Sequence, residues 1–375
     1  MKHALWVMLA AAALWGCTPA SNGDDGEGGS GGEPVPDGSL ADGGEGEGEG
    51  EGEGEGEGEG EGEGEGEGEG EGGMMMMERS IDERCPDAQT GTFLLVAFPD
   101  RVDAYRERDL GVSYFCEFLA LADNGITNAT GFAQSRDGST FYVVQPEEGQ
   151  GSIYAFSSDG EFIRKVASNV NLEGVGGIWN TFGERFVAWS STSQNMFEIE
   201  SDGTFRTLYS PPQWQGSRVD NITDILFLDR DAMLATFSDR PAQLFKAPFA
   251  PEWPAEEVGP GNAVAGVETE EGTKILMTAQ VGGEGNGYGV ILYEPAISGR
   301  APPEMDAVLV PASEDVVDGI DIVGLPNGFL VLDSNLAGTA KITGYDAMGM
   351  LLTNTPLEGG GNPTSMIMSR IFPNF

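Results

Sequence analysis

The sequence predicts an all-β fold, and three observations carry this prediction. From Thr92 onward, short β-branched and aromatic runs are separated by Asp-Gly, Asn-Gly and Pro turns, as in proteins with many short strands. A triplet of two small or polar residues and then one large apolar residue recurs six times. Its third residues lie 46, 47, 42, 53 and 46 positions apart, a period typical of four-stranded propeller blades. We therefore expect a single six-bladed β-propeller.

The triplets are expected to form the innermost strands, because only small side chains fit where six strands converge on one axis. Three further strands should follow each triplet; in the first repeat they fall at residues 141–144, 153–156 and 162–166. The six triplets are Thr130-Gly131-Phe132, Gly176-Gly177-Ile178, Thr223-Asp224-Ile225, Ala265-Gly266-Val267, Asp318-Gly319-Ile320 and Thr364-Ser365-Met366.

The sixth triplet lies too close to the C-terminus to be followed by three strands. Strand-like runs at residues 93–98, 102–107 and 112–121 match the second, third and fourth strands of a blade that lacks its first. We therefore expect the C-terminal strand to complete this blade and close the ring, which removes the exposed edges of an open sheet.

The N-terminus has the pattern of an export signal. One cation, Lys2, precedes an apolar run at residues 4–14, which is shorter than the roughly 20 residues that span a bilayer. The run ends in Leu14-Trp15-Gly16-Cys17, which resembles the lipobox of bacterial lipoproteins, although that family prefers a small residue where Trp15 stands. The resemblance implies that Cys17 is lipidated. Ordinary cleavage near Ala20 and an uncleaved anchor are the alternatives.

The predicted domain order is a signal peptide at 1–16, a disordered acidic linker at 17–84 and the propeller at 85–375. Glu and Gly alternate without interruption over residues 45–72, a composition that cannot bury apolar surface. Four methionines at 74–77 follow this tract, and nothing in their pattern explains them. Thr18, rather than Asp, after Cys17 favours the outer membrane, on its periplasmic face or at the cell surface.

Two cysteines besides Cys17 are present, Cys85 and Cys116. In an oxidising compartment such a pair predicts one disulfide. Two buried free thiols are the alternative.

The charge is strongly acidic, with 19 basic and 62 acidic residues in the chain. From Arg84 onward, the chain has 17 basic and 39 acidic residues, so the formal charge of residues 84–375 is −22. Such a surface repels nucleic acid and favours a soluble monomer.

Histidine chemistry is excluded from the propeller, because the only histidine is His3. This rules out Ser-His-Asp and Cys-His catalysis and His-ligated zinc or haem in the mature protein. The glycine-rich run at 282–287 lies between predicted strands and is interpreted as a turn rather than a phosphate loop. No catalytic residue is predicted.

The repeat region, residues 90–375, resembles the six-bladed propellers of the NHL-repeat and senescence-marker-protein/gluconolactonase-like group. The residues that carry the resemblance are Thr130-Gly131-Phe132-Ala133, Asp137-Gly138-Ser139-Thr140-Phe141-Tyr142-Val143 and Asp318-Gly319-Ile320.

In gluconolactonase-like enzymes a Glu, an Asn and an Asp at the blade starts hold a divalent cation that polarises a lactone carbonyl. Here Asp318 matches the Asp and Glu173 matches the Glu with a shifted spacing, whereas Thr130 replaces the Asn.

Oxygen-bearing side chains in or just before the inner strands are the candidate ligands of Ca²⁺ in the central channel. The predicted metal ligands are Asn128, Glu173, Asn221 and Asp318, with Asp224 and Asp321 nearby. The alternative is that inner-strand Asp and Asn side chains bond backbone N–H groups and water.

The functional expectation is a membrane-anchored lipoprotein that presents its propeller as a binding or scaffolding module for a protein or glycan. Trp214 and Trp253, in Pro-rich connections, are candidates for a partner surface, but Trp side chains also simply fill gaps between blades. The alternative function is a divalent-cation-dependent hydrolase of a lactone or ester.

Overall fold

The computed structural model describes residues 84–85, 91–181, 185–209, 221–246, 256–269, 272–280, 288–294, 303–311, 316–334 and 339–371. Within these residues the chain forms six antiparallel four-stranded sheets, which are the six blades of a β-propeller. The same residues also form two 3₁₀ turns, Leu121–Asn124 after β3 and Val170–Leu172 after β7. No helix in this described part is long and apolar enough to cross a membrane.

Each blade has its strands in chain order from the inside outwards, except the closing blade, which takes its inner strand from the C-terminus. Blade 1 is β4 (Gly131–Gln134), β5 (Thr140–Glu147), β6 (Gln150–Ser157) and β7 (Phe162–Asn169); blade 2 is β8 (Val175–Asn180), β9 (Phe186–Ser190), β10 (Asn195–Ile199) and β11 (Phe205–Tyr209); blade 3 is β12 (Ile222–Asp229), β13 (Ala232–Phe237), β14 (Ala242–Lys246) and β15 (Glu256–Gly259). Blade 4 is β16 (Ala263–Thr269), β17 (Gly272–Ala279), β18 (Gly289–Glu294) and β19 (Glu304–Val310); blade 5 is β20 (Gly319–Leu325), β21 (Gly328–Asp333), β22 (Lys341–Asp346) and β23 (Leu351–Pro356); blade 6 is β24 (Ser365–Ile371), β1 (Gly91–Ala97), β2 (Val102–Arg108) and β3 (Gly111–Leu119).

The ring closes through β24, which pairs with β1 from Gly91↔Ile371 to Ala97↔Ser365. This confirms that the N-terminal strands and the C-terminal strand share one blade. The predicted strands of the first repeat and of the closing blade are also confirmed, each within a few residues of its bounds.

The fourth and fifth triplets were assigned to the wrong residues. The fourth blade lines the central channel with Val264, whereas Val267 packs into the apolar cluster shared with blade 5. In the fifth blade, Asp321 lines the channel. Gly319 comes before it in the strand and is separated from it by a register shift between positions 319 and 321. Matching shifts precede Gly177 and Asp224, so Asp321 is the counterpart of these two residues in the fifth blade.

The core consists of apolar layers between neighbouring blades, and the turns on the outer side pack blade to blade. Gly160 and Gly203 lie in the predicted Asp-Gly turns with φ of +82° and +94°. A Cβ at Gly203 would lie 2.3 Å from the carbonyl oxygen of Val166, on the outer strand of blade 1. Only glycine permits both this backbone conformation and this approach.

Cys85 and Cys116 are joined by a disulfide that links the chain before β1 to the outer strand of blade 6. The adjacent Arg84 is buried, and its guanidinium donates to the carbonyl oxygens of Phe118 and Gly160. The start of the described chain is thereby fastened to blades 6 and 1.

Candidate functional site

The end of the ring where the inner strands begin carries the four predicted metal ligands. Asn128, Glu173, Asn221 and Asp318 come one to three residues before β4, β8, β12 and β20. Because all inner strands of a propeller run the same way along the axis, these residues lie at one end of the ring. We call it the entry face.

The side chains of Asn128, Glu173 and Asn221 form no hydrogen bond with another residue in the described part of the chain. Asn221 has a left-handed backbone, with φ of +79°. Asp318 is engaged: its Oδ2 accepts from Ser334 Oγ at 2.5 Å.

These ligands do not form a cluster rich in carboxylates. Among the described residues, no three His, Cys, Asp or Glu side chains come close enough together to hold a metal ion. A cation at the entry face would therefore depend on the amide oxygens of Asn128 and Asn221 and on water, beside the carboxylates of Glu173 and Asp318.

The central channel is a cavity of about 200 Å³ to which every blade contributes. Its volume is below the roughly 300–1,000 Å³ of typical small-molecule sites, so it suits water or an ion better than an organic substrate. One lining residue from each blade is Thr130, Gly177, Asp224, Val264, Asp321 and Ser365.

Asp224 and Asp321 occupy equivalent places in this channel and join neighbouring blades. Asp224 Oδ2 accepts from Val264 N at 2.8 Å, on the inner strand of the next blade. Asp321 Oδ2 accepts from Met366 N at 2.6 Å in the same way. For these two residues the structure supports the alternative interpretation, in which inner-strand carboxylates bond backbone N–H groups.

The channel raises the affinity of both carboxylates for protons. Burial raises the pKa of Asp224 to about 6, although three N–H groups donate to it. Burial, and then the charge of Asp224, raises the pKa of Asp321 well above its usual range. The pair therefore holds less negative charge near neutral pH than two exposed carboxylates would.

A second cavity of about 320 Å³ lies at the entry face between blades 3 and 4, and we call it the blade 3–4 cleft. It lies between the β13–β14 and β17–β18 connections, beside the segment that leads into β16, and its volume is within the range of small-molecule sites. Its polar and charged lining residues are Ser238, Arg240, Glu257, Asn262, Gln280 and Tyr288.

Two predicted residues border this cleft. The backbone N–H of Ser238 donates to the carbonyl oxygen of Asn221 at 3.1 Å. On the other side, burial and then the charge of Asp318 raise the pKa of Tyr288. Asn221 and Asp318, two of the predicted metal ligands, thus lie next to cleft residues that the sequence analysis did not identify.

Four of the six polar and charged side chains that line the cleft are uncommitted, whereas the amide of Asn262 donates to the carbonyl oxygen of Gly319 at 2.8 Å. The side chains of Ser238, Glu257, Gln280 and Tyr288 form no hydrogen bond with any other residue that the structure describes. A cleft of about 440 Å³ between blades 1 and 2 differs, because the carboxylate of Asp137 there is held by the hydroxyls of Ser135 and Ser139.

Arg240 is held in place within the blade 3–4 cleft. Its guanidinium carbon lies 4.2 Å from the centre of the Phe237 ring. Its Nε is 3.9 Å from the half-exposed carboxylate of Asp239, a loose ion pair. Stacking on a buried ring restricts the guanidinium, so its N–H donors keep a fixed direction.

Sequence reasoning missed Arg240, Gln280 and Tyr288. One signal was present: the interval of 53 residues between the fourth and fifth triplets is the longest, which indicates an insertion in blade 4. Insertions in a rigid scaffold are often functional. The lipidation residue Cys17, the methionines at 74–77, Trp214, Trp253 and the glycine-rich run at 282–287 all lie outside the described residues.

Comparisons with known proteins concern the fold. Neither a family model nor a curated protein sequence matches this chain. Among solved structures, a chain of a nidogen/laminin complex is similar at 14% identity with a TM-score of 0.53, over 74% of this chain and 98% of that one.

Two bacterial structures are similar at lower TM-scores. A putative 6-phosphogluconolactonase from Bacteroides uniformis has 11% identity and a TM-score of 0.49, over 75% of this chain and 100% of that one. TolB from Acinetobacter baumannii has 13% identity and a TM-score of 0.46, over 73% of this chain and 66% of that one. The likeness to the nidogen/laminin chain supports the fold alone: this chain is a six-bladed β-propeller.

Proposed function

We propose that this chain is an exported lipoprotein, held in a membrane by acyl chains on Cys17, whose propeller is a binding module. The blade 3–4 cleft carries the binding part of the proposal. It combines uncommitted polar side chains with a rigid wall, and groups placed in this way bind a ligand without first having to be ordered. The acidic linker at 17–84 then acts as a tether that presents the propeller to a partner.

Site-specific cross-linking tests the binding role. A photoreactive residue in place of Gln280, which is exposed in the cleft, should give a discrete adduct in the cell envelope. The same residue in place of Asp202, an exposed turn residue at the other end of blade 2, should not. Equal labelling at both positions, or none at either, would show that the cleft is not a binding site.

The anchor is tested separately. Cys17→Ala should move the protein from the membrane fraction to the soluble fraction, because each buried CH₂ of a lipid chain contributes about 0.8 kcal/mol to membrane binding. A variant that stays in the membrane fraction would indicate a peptide anchor instead. We propose the outer membrane as the location, on its periplasmic face or at the surface.

A divalent-cation-dependent hydrolase of a lactone or ester is the second candidate. The observation that favours it is the placement of Asn128, Glu173, Asn221 and Asp318 at one end of the ring, three of them with uncommitted side chains. The residues fit a calcium ion in chemistry, since all four supply oxygen. When bound, such an ion would polarise a carbonyl oxygen, and these side chains would orient it.

Calcium titration decides whether this second candidate survives. Heat of binding and a rise in melting temperature with Ca²⁺, both reduced by Glu173→Gln, are expected of the hydrolase. Absence of both signals would eliminate the hydrolase. The binding module does not depend on this result, because none of the four predicted metal ligands lines the blade 3–4 cleft.

A further inference from the structure

The blade 3–4 cleft is shaped and charged for a particular class of ligand. We propose that it binds a neutral sugar residue of a glycan. This inference rests on the proposed binding function and gives it a ligand class.

The first step is the chemistry of the uncommitted groups. Gln280 supplies an amide, Ser238 and Tyr288 supply hydroxyls and Glu257 supplies a carboxylate. Together they offer both hydrogen-bond donors and hydrogen-bond acceptors. An apolar ligand would bury them without partners, at about 1–3 kcal/mol for each group. A ring of hydroxyl groups, each both donor and acceptor, satisfies all of them.

The second step is charge. Among the described residues, the charged side chains that line the cleft are one cation, Arg240, and one anion, Glu257. An anionic ligand would also meet a domain with a formal charge of −22. A cationic ligand would meet the guanidinium of Arg240. A neutral ligand avoids both costs.

The third step separates a sugar from a protein partner. Protein interfaces depend on large apolar or aromatic side chains at their centre. The exposed large hydrophobic residues of the described chain lie elsewhere, on outer strands such as β19 and β23, and none lines this cleft. The aromatic group that the cleft does offer is the half-buried ring of Tyr288, a surface for the C–H face of a sugar.

Saturation-transfer NMR with the full mature chain tests the proposal. The probes are the methyl glycosides of glucose, galactose, mannose and N-acetylglucosamine, with glucuronate as the anionic counterpart of glucose. At least one neutral glycoside should receive saturation. Gln280→Ala and Tyr288→Phe should each weaken its binding about three- to tenfold, the effect of one neutral hydrogen bond.

Gln150→Ala is the matched control. Gln150 lies in the hairpin of blade 1 that corresponds to the β17–β18 connection, and its side chain is bonded to Glu147 at 2.8 Å and to Ser168 at 3.0 Å. This variant should bind like the wild type. The folded state of every variant is checked by its melting temperature.

Three outcomes would overturn the inference: no signal with any neutral glycoside, a preference for glucuronate over the glucoside, or unchanged binding in Gln280→Ala. The cross-link at position 280 distinguishes the two levels of the argument. An adduct without sugar binding would support the binding module and rule out the sugar as its ligand. Absence of an adduct would rule out both.

Discussion

The indole N–H of Trp179 on blade 2 donates to Asp224 Oδ1 on blade 3, with Nε1 and Oδ1 2.8 Å apart. Asp224 in turn accepts from the backbone of Val264 on blade 4. One carboxylate thus connects three successive blades at the wall of the channel. Near the axis, where side chains are small and apolar burial is limited, such hydrogen bonds hold the inner strands together.

Trp179→Phe should therefore lower the free energy of unfolding by more than the loss of buried aromatic area alone would. A hydrogen bond to a charged group contributes about 1.5–3 kcal/mol, and Asp224 would lose one in a buried place. Denaturation in urea should show a corresponding fall in the free energy of unfolding.

Trp189→Phe is a control in a closely similar setting. Trp179 packs over Gly177 and Trp189 over Gly176, so both indoles cover a glycine of β8. The Nε1 of Trp189 is buried without a hydrogen-bond partner, so its removal sacrifices no such bond. Equal destabilisation by the two variants would show that the Trp179–Asp224 bond contributes nothing measurable.

Stability should rise as the pH falls from 7.5 to about 5. Burial raises the pKa of Asp103 to about 6, as it does for Asp224. A carboxyl whose pKa is higher in the folded than in the unfolded chain gives its full stabilisation below the unfolded pKa, near 4, and loses it as the pH rises through 6. Each group accounts for at most about 3 kcal/mol.

Urea denaturation at a series of pH values measures this dependence. Asp103→Asn and Asp224→Asn should each flatten the decline between pH 5 and 7.5. Below about pH 4 the trend should reverse, because burial of Glu147 is outweighed by hydrogen bonds from Tyr154 and others, which lower the pKa of Glu147 to about 2. A free energy of unfolding that stays level or climbs from pH 5 to 7.5 would contradict the assignment.

Removal of the last 15 residues should unfold the propeller as a unit. This truncation deletes β24, which supplies the inner strand of blade 6 and pairs with β1 along its whole length. Loss of the strand exposes the edge of β1 and separates blades 5 and 1. Circular dichroism should show loss of sheet structure. Removal of residues 372–375 alone, which keeps β24, should leave the melting temperature nearly unchanged.

The sequence was sufficient for the ring because blades repeat a local pattern. Six triplets and six strand sets follow from periodicity, and the closing blade follows from the count of strands at each terminus. The register of blades 4 and 5 did not follow, because Gly266 and Gly319 fit the pattern of small positions better than Val264 and Asp321, the residues that line the channel.

The blade 3–4 cleft was even less accessible to sequence reasoning. Arg240 and Gln280 come from two separate connections and Glu257 comes from β15, and the three residues share no spacing or motif. The packing of blade 3 against blade 4 brings them together. Asn221 and Asp318 were selected from the sequence because they stand at the starts of inner strands. They lie at the border of the cleft because every inner strand starts at the entry face.

Gly203→Ala tests the packing between outer strands that the sequence did not predict. The Asp-Gly turn at 201–203 was evident from the pattern, but not its contact with blade 1. An alanine there would cost about 1–2 kcal/mol for the left-handed backbone, and its Cβ would also collide with the carbonyl oxygen of Val166, 2.3 Å away. Gly149→Ala is the matched control, since Gly149 has φ of +74° with no heavy atom within 4 Å of the added Cβ. The backbone cost should be common to both variants, so the difference between their free energies of unfolding measures the blade contact. Urea denaturation should place Gly203→Ala clearly below Gly149→Ala, and coincident curves would mean that the turn of blade 2 does not pack against β7.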